Sequence, residues 1–238
     1  YDAREVLPAL AAADKLVKAE LAELPAATQP ETASAEAEAV GEQTASGDAA
    51  GLIAEIGADS VAAAGQVDAG RYDRTQNPLL AVLDPSYAGG AAIGAAYKAD
   101  MAAVNEYLAN PAVRELFPAD FKWGVKGDDK IDGRYYLYAI KVSTPDGKAP
   151  LDGSVVTSAT EQYAQRGATA EVSMTMNGEG TQEWARLTGE NIGKCIAIVL
   201  DGYVYSAPRV NTKIDKGSSQ ITGDFTIQEA KDLANVLN

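Results

Sequence analysis

The sequence contains no histidine and one cysteine, and its acidic residues outnumber its basic residues 34 to 20. The lack of histidine excludes a Ser-His-Asp triad, a Cys-His pair and any histidine metal site. A single cysteine allows no disulfide within the chain. We expect Cys195 to be a small buried hydrophobe, because it lies in the apolar run of residues 194–200. We therefore expect no catalytic residue, no metal site and no cofactor.

The net charge of −14 argues against nucleic acid and against an anionic membrane surface as partners. No apolar run reaches the length of about 18 residues that a membrane span needs, and Tyr1 begins no signal peptide. Residues 26–70 contain eight acids and no Lys or Arg, and for them we predict a mobile loop or weakly packed helix, then a short helix over 51–64. Because these acids lack the spacing of an EF-hand loop, a solvated face is a better interpretation than a calcium site.

The most informative stretch is residues 194–238. Residues 196–200 are apolar on both faces and predict a strand in the centre of a sheet. Asp201-Gly202 between two apolar runs predicts a hairpin with a type I′ turn. Pro208 ends the second strand of this hairpin, because proline has no N–H to donate to a ladder.

A short strand at residues 220–222, ending at Gly223, and a helix are predicted to follow. Thr226 and Glu229 have the spacing of a capping box, in which each side chain accepts a hydrogen bond from the backbone of the other. The helix has one apolar face, which consists of Ile227, Ala230, Leu233, Ala234 and Leu237.

The rest of the chain predicts further helices and half-buried strands. An N-terminal helix carries a stripe of Val6, Leu10, Val17, Leu21 and Leu24 and ends at Pro25. Asp100 is expected to cap a second helix, and Trp184 and Leu187 to point inward from a later one. Strands are predicted at residues 91–98, 123–125, 135–142, 155–159 and 168–176. The pattern predicts an α+β fold: an antiparallel β-sheet packed by C-terminal helices, with an N-terminal Ala-rich helical extension.

Several motifs of the second half resemble one known family. They are PLDGSVVTSA at 150–159, EGTQEWARLTGENIGK at 179–194, AIVLDGYVYSAP at 197–208 and QITGDFTIQEAKDLANVL at 220–237. In order and spacing they resemble the head of the large periplasmic domain of SecD, a protein-export factor, and the enlarged head suggests a SecDF fusion. The resemblance covers residues 146–238 well and 91–145 loosely. It divides the chain into a family-specific insertion, 1–90, and the head subdomain, 91–238.

The resemblance implies a function in protein export. SecD proteins lie in the bacterial inner membrane beside the SecYEG channel and act with SecF. Their periplasmic head is thought to grasp the emerging preprotein and to swing, driven by proton flow through the membrane part. By this resemblance the chain is a non-enzymatic periplasmic segment whose partners are unfolded preprotein and, through membrane parts absent here, SecYEG and SecF.

Candidate binding residues follow from strand alternation. Tyr203, Tyr205 and Tyr135 offer large apolar contact to an extended chain. Met174 and Met176 share one face of a strand and could line an adaptable groove, although a core face under a helix is the commoner role. Residues with structural roles in turns and caps are Asp201, Gly202, Pro208, Thr226 and Glu229.

Two other functions are compatible with the sequence. The N-terminal extension could be a docking platform for another envelope protein, and removing residues 1–75 would separate platform binding from preprotein capture. A carboxylate hydrolase would use Asp128, Asp129 or Asp201. Against it, Asp128 and Asp129 lie with Asp132 among Gly and Lys, which is typical of a turn.

Overall fold

The structure, a computed structural model, describes residues 1–23, 72–128, 131–141, 144, 147–163 and 170–238. The predictions made for Leu24, for Pro25, for residues 26–70 and for Asp129 lie outside the described residues. The helices are α1 (Ala3–Glu23), α2 (Met101–Ala109), α3 (Pro111–Leu116), α4 (Gly178–Glu190) and α5 (Ile227–Leu237). The strands are β1 (Asp84–Pro85), β2 (Ala92–Ala96), β3 (Asp120–Asp128), β4 (Arg134–Ile140), β5 (Val156–Tyr163), β6 (Ala170–Met176), β7 (Ile198–Leu200), β8 (Tyr203–Ser206) and β9 (Ser218–Phe225).

The strands form two sheets, whereas the sequence pattern predicted one. The larger sheet has the order β1-β2-β4-β3-β8-β7, and the smaller has the order β5-β6-β9. All pairs are antiparallel except β3 with β8, which meet in parallel where Gly124 pairs with Val204. The predicted α+β class is confirmed.

The larger sheet packs against α1, and their side chains share one hydrophobic cluster. Val6, Leu10 and Val17 of the predicted stripe are buried, and Leu21 packs against the same cluster. On the sheet side the cluster includes Leu137, which is fully buried. Helix α1 is therefore part of a core, and removing residues 1–75 would expose that core as well as remove any docking surface. The predicted boundary at residue 90 stays a prediction.

A buried carboxylate connects α1 to the turn that precedes β1. Asp14 is 3% exposed, and its Oδ1 accepts hydrogen bonds from the backbone N–H groups of Leu79 (2.9 Å) and Leu80 (3.1 Å). Burial raises the pKa of Asp14, although the two N–H groups favour the charged form. The Asp14 side chain on α1 therefore provides the hydrogen-bond acceptor for the backbone N–H groups of Leu79 and Leu80.

We expect Asp14→Ala to lower the free energy of unfolding by about 2–3 kcal/mol, since it leaves these donors unsatisfied. Asp14→Asn keeps the accepting oxygen and removes the buried charge, so it should be at least as stable as the parent at pH 7. Because the folded-state pKa is raised, this group's contribution to stability falls as pH rises above 3.8 towards the raised value. Urea denaturation of both variants at pH 4 and pH 7 checks this, and equal losses in the two variants would contradict it.

The smaller sheet packs against α5 around a second hydrophobic cluster. Helix α5 begins with the predicted capping box: the backbone N–H of Thr226 donates to Glu229 and that of Glu229 donates to Thr226. Ala230, Leu233 and Ala234 are buried as predicted. Ile227, at the start of the apolar face, is 39% exposed. The periodicity therefore predicted the centre of the buried face correctly.

Strand β9 is longer than the sequence predicted. It runs from Ser218 to Phe225, and Gly223 lies inside it rather than at its end. The register with β6 shifts at this point, because Thr222 pairs with Glu171 while Phe225 pairs with Ala170. The glycine thus lies in a bulge, which accommodates extra residues on one strand without ending the ladder.

Strand β7 was predicted to be central and lies instead at the outer edge of the larger sheet. Ile198 and Leu200 are half-buried because they pack against the second cluster. The apolar residues of β7 are therefore explained by packing of their side chains against the second cluster. They do not require a neighbouring strand on both edges of β7.

The predictions for Cys195 and Asp100 were also wrong. Cys195 is exposed, because it lies before β7 and forms only an isolated bridge with Arg209. Partial desolvation raises the pKa of its thiol, and Arg209 offsets this only in part. Asp100 precedes α2 but accepts no capping hydrogen bond; its carboxylate pairs with Arg74 at 3.2 Å.

Candidate functional site

The β7–β8 hairpin forms as the sequence predicted. Asp201 and Gly202 have φ values of 49° and 83°, as a type I′ turn requires. Regular pairing ends at Ser206, before Pro208. The carbonyl of Pro208 still accepts a hydrogen bond from the backbone N–H of Ile196 at 3.1 Å. Asp201 therefore has the turn role that the sequence favoured over a catalytic one.

The three candidate tyrosines differ in how much of each side chain is accessible. Tyr203 follows the turn and is 46% exposed. Tyr205, on the same strand, is half-buried and packs against the second cluster. Tyr135 is half-buried on β4 and packs against the first cluster, and β3 separates it from β8 in the sheet. Tyr203 is thus the most accessible of the three to a partner.

The two candidate methionines lie in the second core cluster. Met174 and Met176 are each 6% exposed, on the central strand of the smaller sheet. Helix α5 packs on β5 and β6 and covers this cluster. A bound polypeptide can reach these sulfur atoms only if the covering elements move. Their role in binding stays a prediction.

The capping residue Glu229 has a second partner that the sequence did not reveal. Its carboxylate accepts a hydrogen bond from the Nζ of Lys126 on β3, in addition to that from the backbone N–H of Thr226. Burial raises the pKa of Glu229, but these hydrogen bonds outweigh it and lower the pKa below its usual range. This contact attaches the start of α5 to β3 of the larger sheet, and β3 is the strand that pairs with β8 of the hairpin.

The sequence reasoning also missed one edge of the smaller sheet. Strand β5 is one of its two outer strands, and its exposed residues are Thr157, Ser158, Thr160 and Glu161. The side-chain amide of Asn238 bonds to Ala159, accepting from its N–H and donating to its carbonyl, both at 2.8 Å. The polar run TSATEQ at residues 157–162 could have indicated such an edge strand.

A polar cleft of about 520 Å³ lies between residues 149–155 and α4. Asp152, Glu179, Glu183 and Arg186 line it together with the apolar side chains of Leu151 and Val155. Arg186 is bonded to Glu183 at 2.5 Å and to Glu190 at 2.7 Å. Arg186 is therefore paired with one carboxylate of the cleft, Glu183, and with Glu190 outside the cleft lining, while Asp152 accepts hydrogen bonds from Ser154.

In the part of the chain that the structure describes, no group of three or more Cys, Asp or Glu residues is arranged to hold a metal ion. None of the described helices combines the length and the apolar composition that crossing a bilayer requires. The features that remain for contact with other molecules are the hairpin, the β5 edge and the cleft.

Comparison with known proteins gives one consistent result. Residues 136–238 match the model of the SecDF P1 head subdomain. The chain is 41% identical over 170 residues to the protein translocase subunit SecD of Rhodothermus marinus. The aligned residues make up 69% of this chain and 26% of that protein. It is 39% identical over 113 residues to SecD of Rickettsia conorii, covering 48% of this chain and 20% of the relative.

Solved structures of SecDF also match, with low structural scores. One, of a SecDF described as a membrane component that enhances protein export, is 28% identical, has a TM-score of 0.35 and covers 58% of this chain and 54% of that chain. SecDF from Thermus thermophilus is 21% identical with a TM-score of 0.31, covering 58% of this chain and 26% of that one. Since these scores are below 0.5, the assignment depends on the sequence matches.

These matches identify residues 136–238 as a SecDF P1 head subdomain. The family match begins within β4 and contains the hairpin, the whole smaller sheet and α5. The chain spans about a quarter of the Rhodothermus marinus relative, 26% of its length.

Proposed function

We propose that this chain is the periplasmic head of a SecD-type subunit in a bacterial inner membrane, and that it handles unfolded preprotein as it leaves the SecYEG channel. In this proposal the head performs no catalysis. Proton flow through a membrane part outside this chain drives its movement, and SecF is a partner through that same part. The head supplies a surface that holds a polypeptide weakly and releases it.

The match of residues 136–238 to the SecDF P1 head is the observation that carries the proposal. The surface of this subdomain is compatible with it. Tyr203 is exposed on the hairpin, and aromatic side chains give large contact area at a low entropy cost, whatever the sequence of the bound chain. Tyr163 at the end of β5 is 68% exposed and offers a second aromatic contact.

Charge supports a preference for basic segments of the bound chain. The net charge of −14 produces a field that attracts cationic polypeptide and increases its association rate. The attraction is screened at high salt, since the Debye length falls to about 3 Å at 1 M. Weak capture of this type allows release, which transport requires.

A binding measurement with a permanently unfolded protein tests the proposal. We expect fluorescently labelled, reduced and carboxymethylated α-lactalbumin to bind with a Kd between about 10 μM and 1 mM, and native α-lactalbumin not to bind. Tyr203→Ser should weaken binding about threefold to tenfold, because it removes an exposed aromatic contact. Fluorescence anisotropy at 500 mM salt measures the affinity, because at this ionic strength the repulsion between the acidic head and the acidic carboxymethylated probe is screened.

Tyr97→Ser is the matched control, because Tyr97 is 44% exposed, nearly the same as Tyr203, but lies between β2 and α2. The control variant should bind as the parent does. If neither form of α-lactalbumin binds at millimolar concentration, the head does not capture polypeptide and is a spacer or lever. An equal loss of binding in both variants would show that Tyr203 has no specific role.

A further inference from the structure

The outer edge of β5 is occupied by a single side chain that imitates a peptide group. The Oδ1 of Asn238 accepts a hydrogen bond from the N–H of Ala159, and its Nδ2 donates to the carbonyl of the same residue, both at 2.8 Å. This pair of bonds is the pattern that two residues exchange in an antiparallel ladder. The Nδ2 also donates to the carbonyl of Ala234 at 2.9 Å, which fixes the orientation of the amide.

Two further residues of β5 direct their backbone N–H and C=O groups to the same side of the strand as Ala159 does. Backbone donors and acceptors alternate between the two sides of a strand, so Glu161 and Tyr163 direct theirs to the side on which Ala159 meets Asn238. Both residues are exposed, Tyr163 at 68%. Within the described residues, β5 has a strand partner, β6, on its inner side only. The edge thus has one covered position followed by two accessible ones.

We infer that this edge is a docking site for an extended polypeptide, which adds as a strand to β5 and displaces the Asn238 amide. The amide identifies the chemistry of the occupant, because it places one donor and one acceptor where a peptide group of an added strand lies. Glu161 is exposed and acidic, so the edge favours a segment with Lys or Arg. The inference deepens the proposed function and rests on it for the nature of the partner.

A short strand-forming peptide tests the inference directly. The probe is the labelled hexapeptide acetyl-Lys-Thr-Val-Thr-Val-Lys-amide. The control peptide has the same sequence but is N-methylated at every residue, so it has no backbone N–H on either edge to pair with a strand. We expect the unmethylated peptide to bind the parent weakly and to bind Asn238→Ala roughly tenfold more tightly, since the competing amide has been removed. Asn235→Ala, an exposed position on the same helix, should bind as the parent does.

Glu161→Pro supplies a second variant. Proline is tolerated on an edge strand where the lost N–H points away from the ladder, so this variant keeps the pairing with β6 and loses an outward donor. We expect it to abolish peptide binding, both alone and combined with Asn238→Ala. In the parent, bound peptide should shift the amide NMR signals of Ala159, Glu161 and Tyr163.

Two results would overturn the inference. One is peptide binding that is equal in the parent and in Asn238→Ala, and the other is equal binding of the methylated and unmethylated peptides. If unfolded α-lactalbumin binds the parent and Glu161→Pro alike, polypeptide capture stands and the edge is not its site. If neither the peptide nor unfolded α-lactalbumin binds, both the inference and the proposed function fail.

Discussion

Asp84→Ala should lower the free energy of unfolding by about 3–5 kcal/mol, since it leaves a buried charge without its partner. The Nη1 of Arg134 lies 2.8 Å from the Oδ2 of Asp84, and the two side chains are 8% and 17% exposed. The carbonyl of Ile131 also accepts a hydrogen bond from the Nε of Arg134 at 3.0 Å, but a neutral carbonyl cannot replace the carboxylate of Asp84. Urea denaturation followed by circular dichroism measures the loss.

An exposed ion pair provides the control for Asp84. Arg186 bonds Glu183 and Glu190 along α4, but it is 50% exposed. Solvent screens such pairs, so Arg186→Met should change stability much less than Asp84→Ala does. A loss for Asp84→Ala no larger than that for Arg186→Met would show that the buried pair makes no larger contribution than the exposed one. That result would contradict our interpretation of the contact between β1 and β4.

Gly180→Ala should destabilise the second cluster by about 3 kcal/mol, because α4 approaches the start of β5 too closely for a side chain. A Cβ at position 180 would lie 2.6 Å from the Cβ of Val155 and 3.2 Å from that of Met176. These atoms are attached directly to the backbone, so a side-chain rotation cannot relieve the contact. Thermal and urea unfolding of the variant measure the effect.

Two further variants separate this contact from helix propensity. Gly178→Ala lies two residues earlier on α4, where a Cβ would meet nothing within 4 Å. It should leave stability unchanged or raise it by up to about 1 kcal/mol, as alanine favours helix. Val155→Gly removes the Cβ in this contact, so Val155→Gly combined with Gly180→Ala should lose clearly less stability than the sum of the two single losses. Independent, additive effects of the two substitutions would contradict a direct contact.

Local patterns in the sequence predicted the elements whose signal is local. The Asp201-Gly202 turn, the capping box at Thr226 and the buried face of α5 each depend on residues within a few positions of one another, and the structure confirms all three. The stripe on α1 was equally readable, because helical spacing alone shows which side is apolar.

The errors occurred where a distant segment determines the environment. The apolar residues of β7 gave no sign that a hydrophobic cluster, rather than a second strand, would cover them. Burial of Cys195 was predicted from apolar neighbours in the sequence, but the chain leaves the ladder at that residue. Gly223 was interpreted as a stop because a bulge becomes apparent only when the partner strand is known.

The candidate binding residues were predictable only in part. Tyr203 was chosen from strand alternation and is exposed, and its role in binding stays a prediction. Asn238 lies 79 positions from Ala159, and the Lys126–Glu229 contact spans 103 positions. No local pattern encodes either contact, so the edge of β5 and the attachment of α5 to the larger sheet required the three-dimensional structure.

The most direct test of the central claim is an amide and methyl NMR titration of this chain with reduced and carboxymethylated α-lactalbumin. If the head handles unfolded preprotein, shifts will cluster on the hairpin at Tyr203 and along β5. Native α-lactalbumin will cause none. The absence of shifts at millimolar concentration would contradict polypeptide capture by the head, and shifts confined to residues 1–90 would move binding to the N-terminal part of the chain.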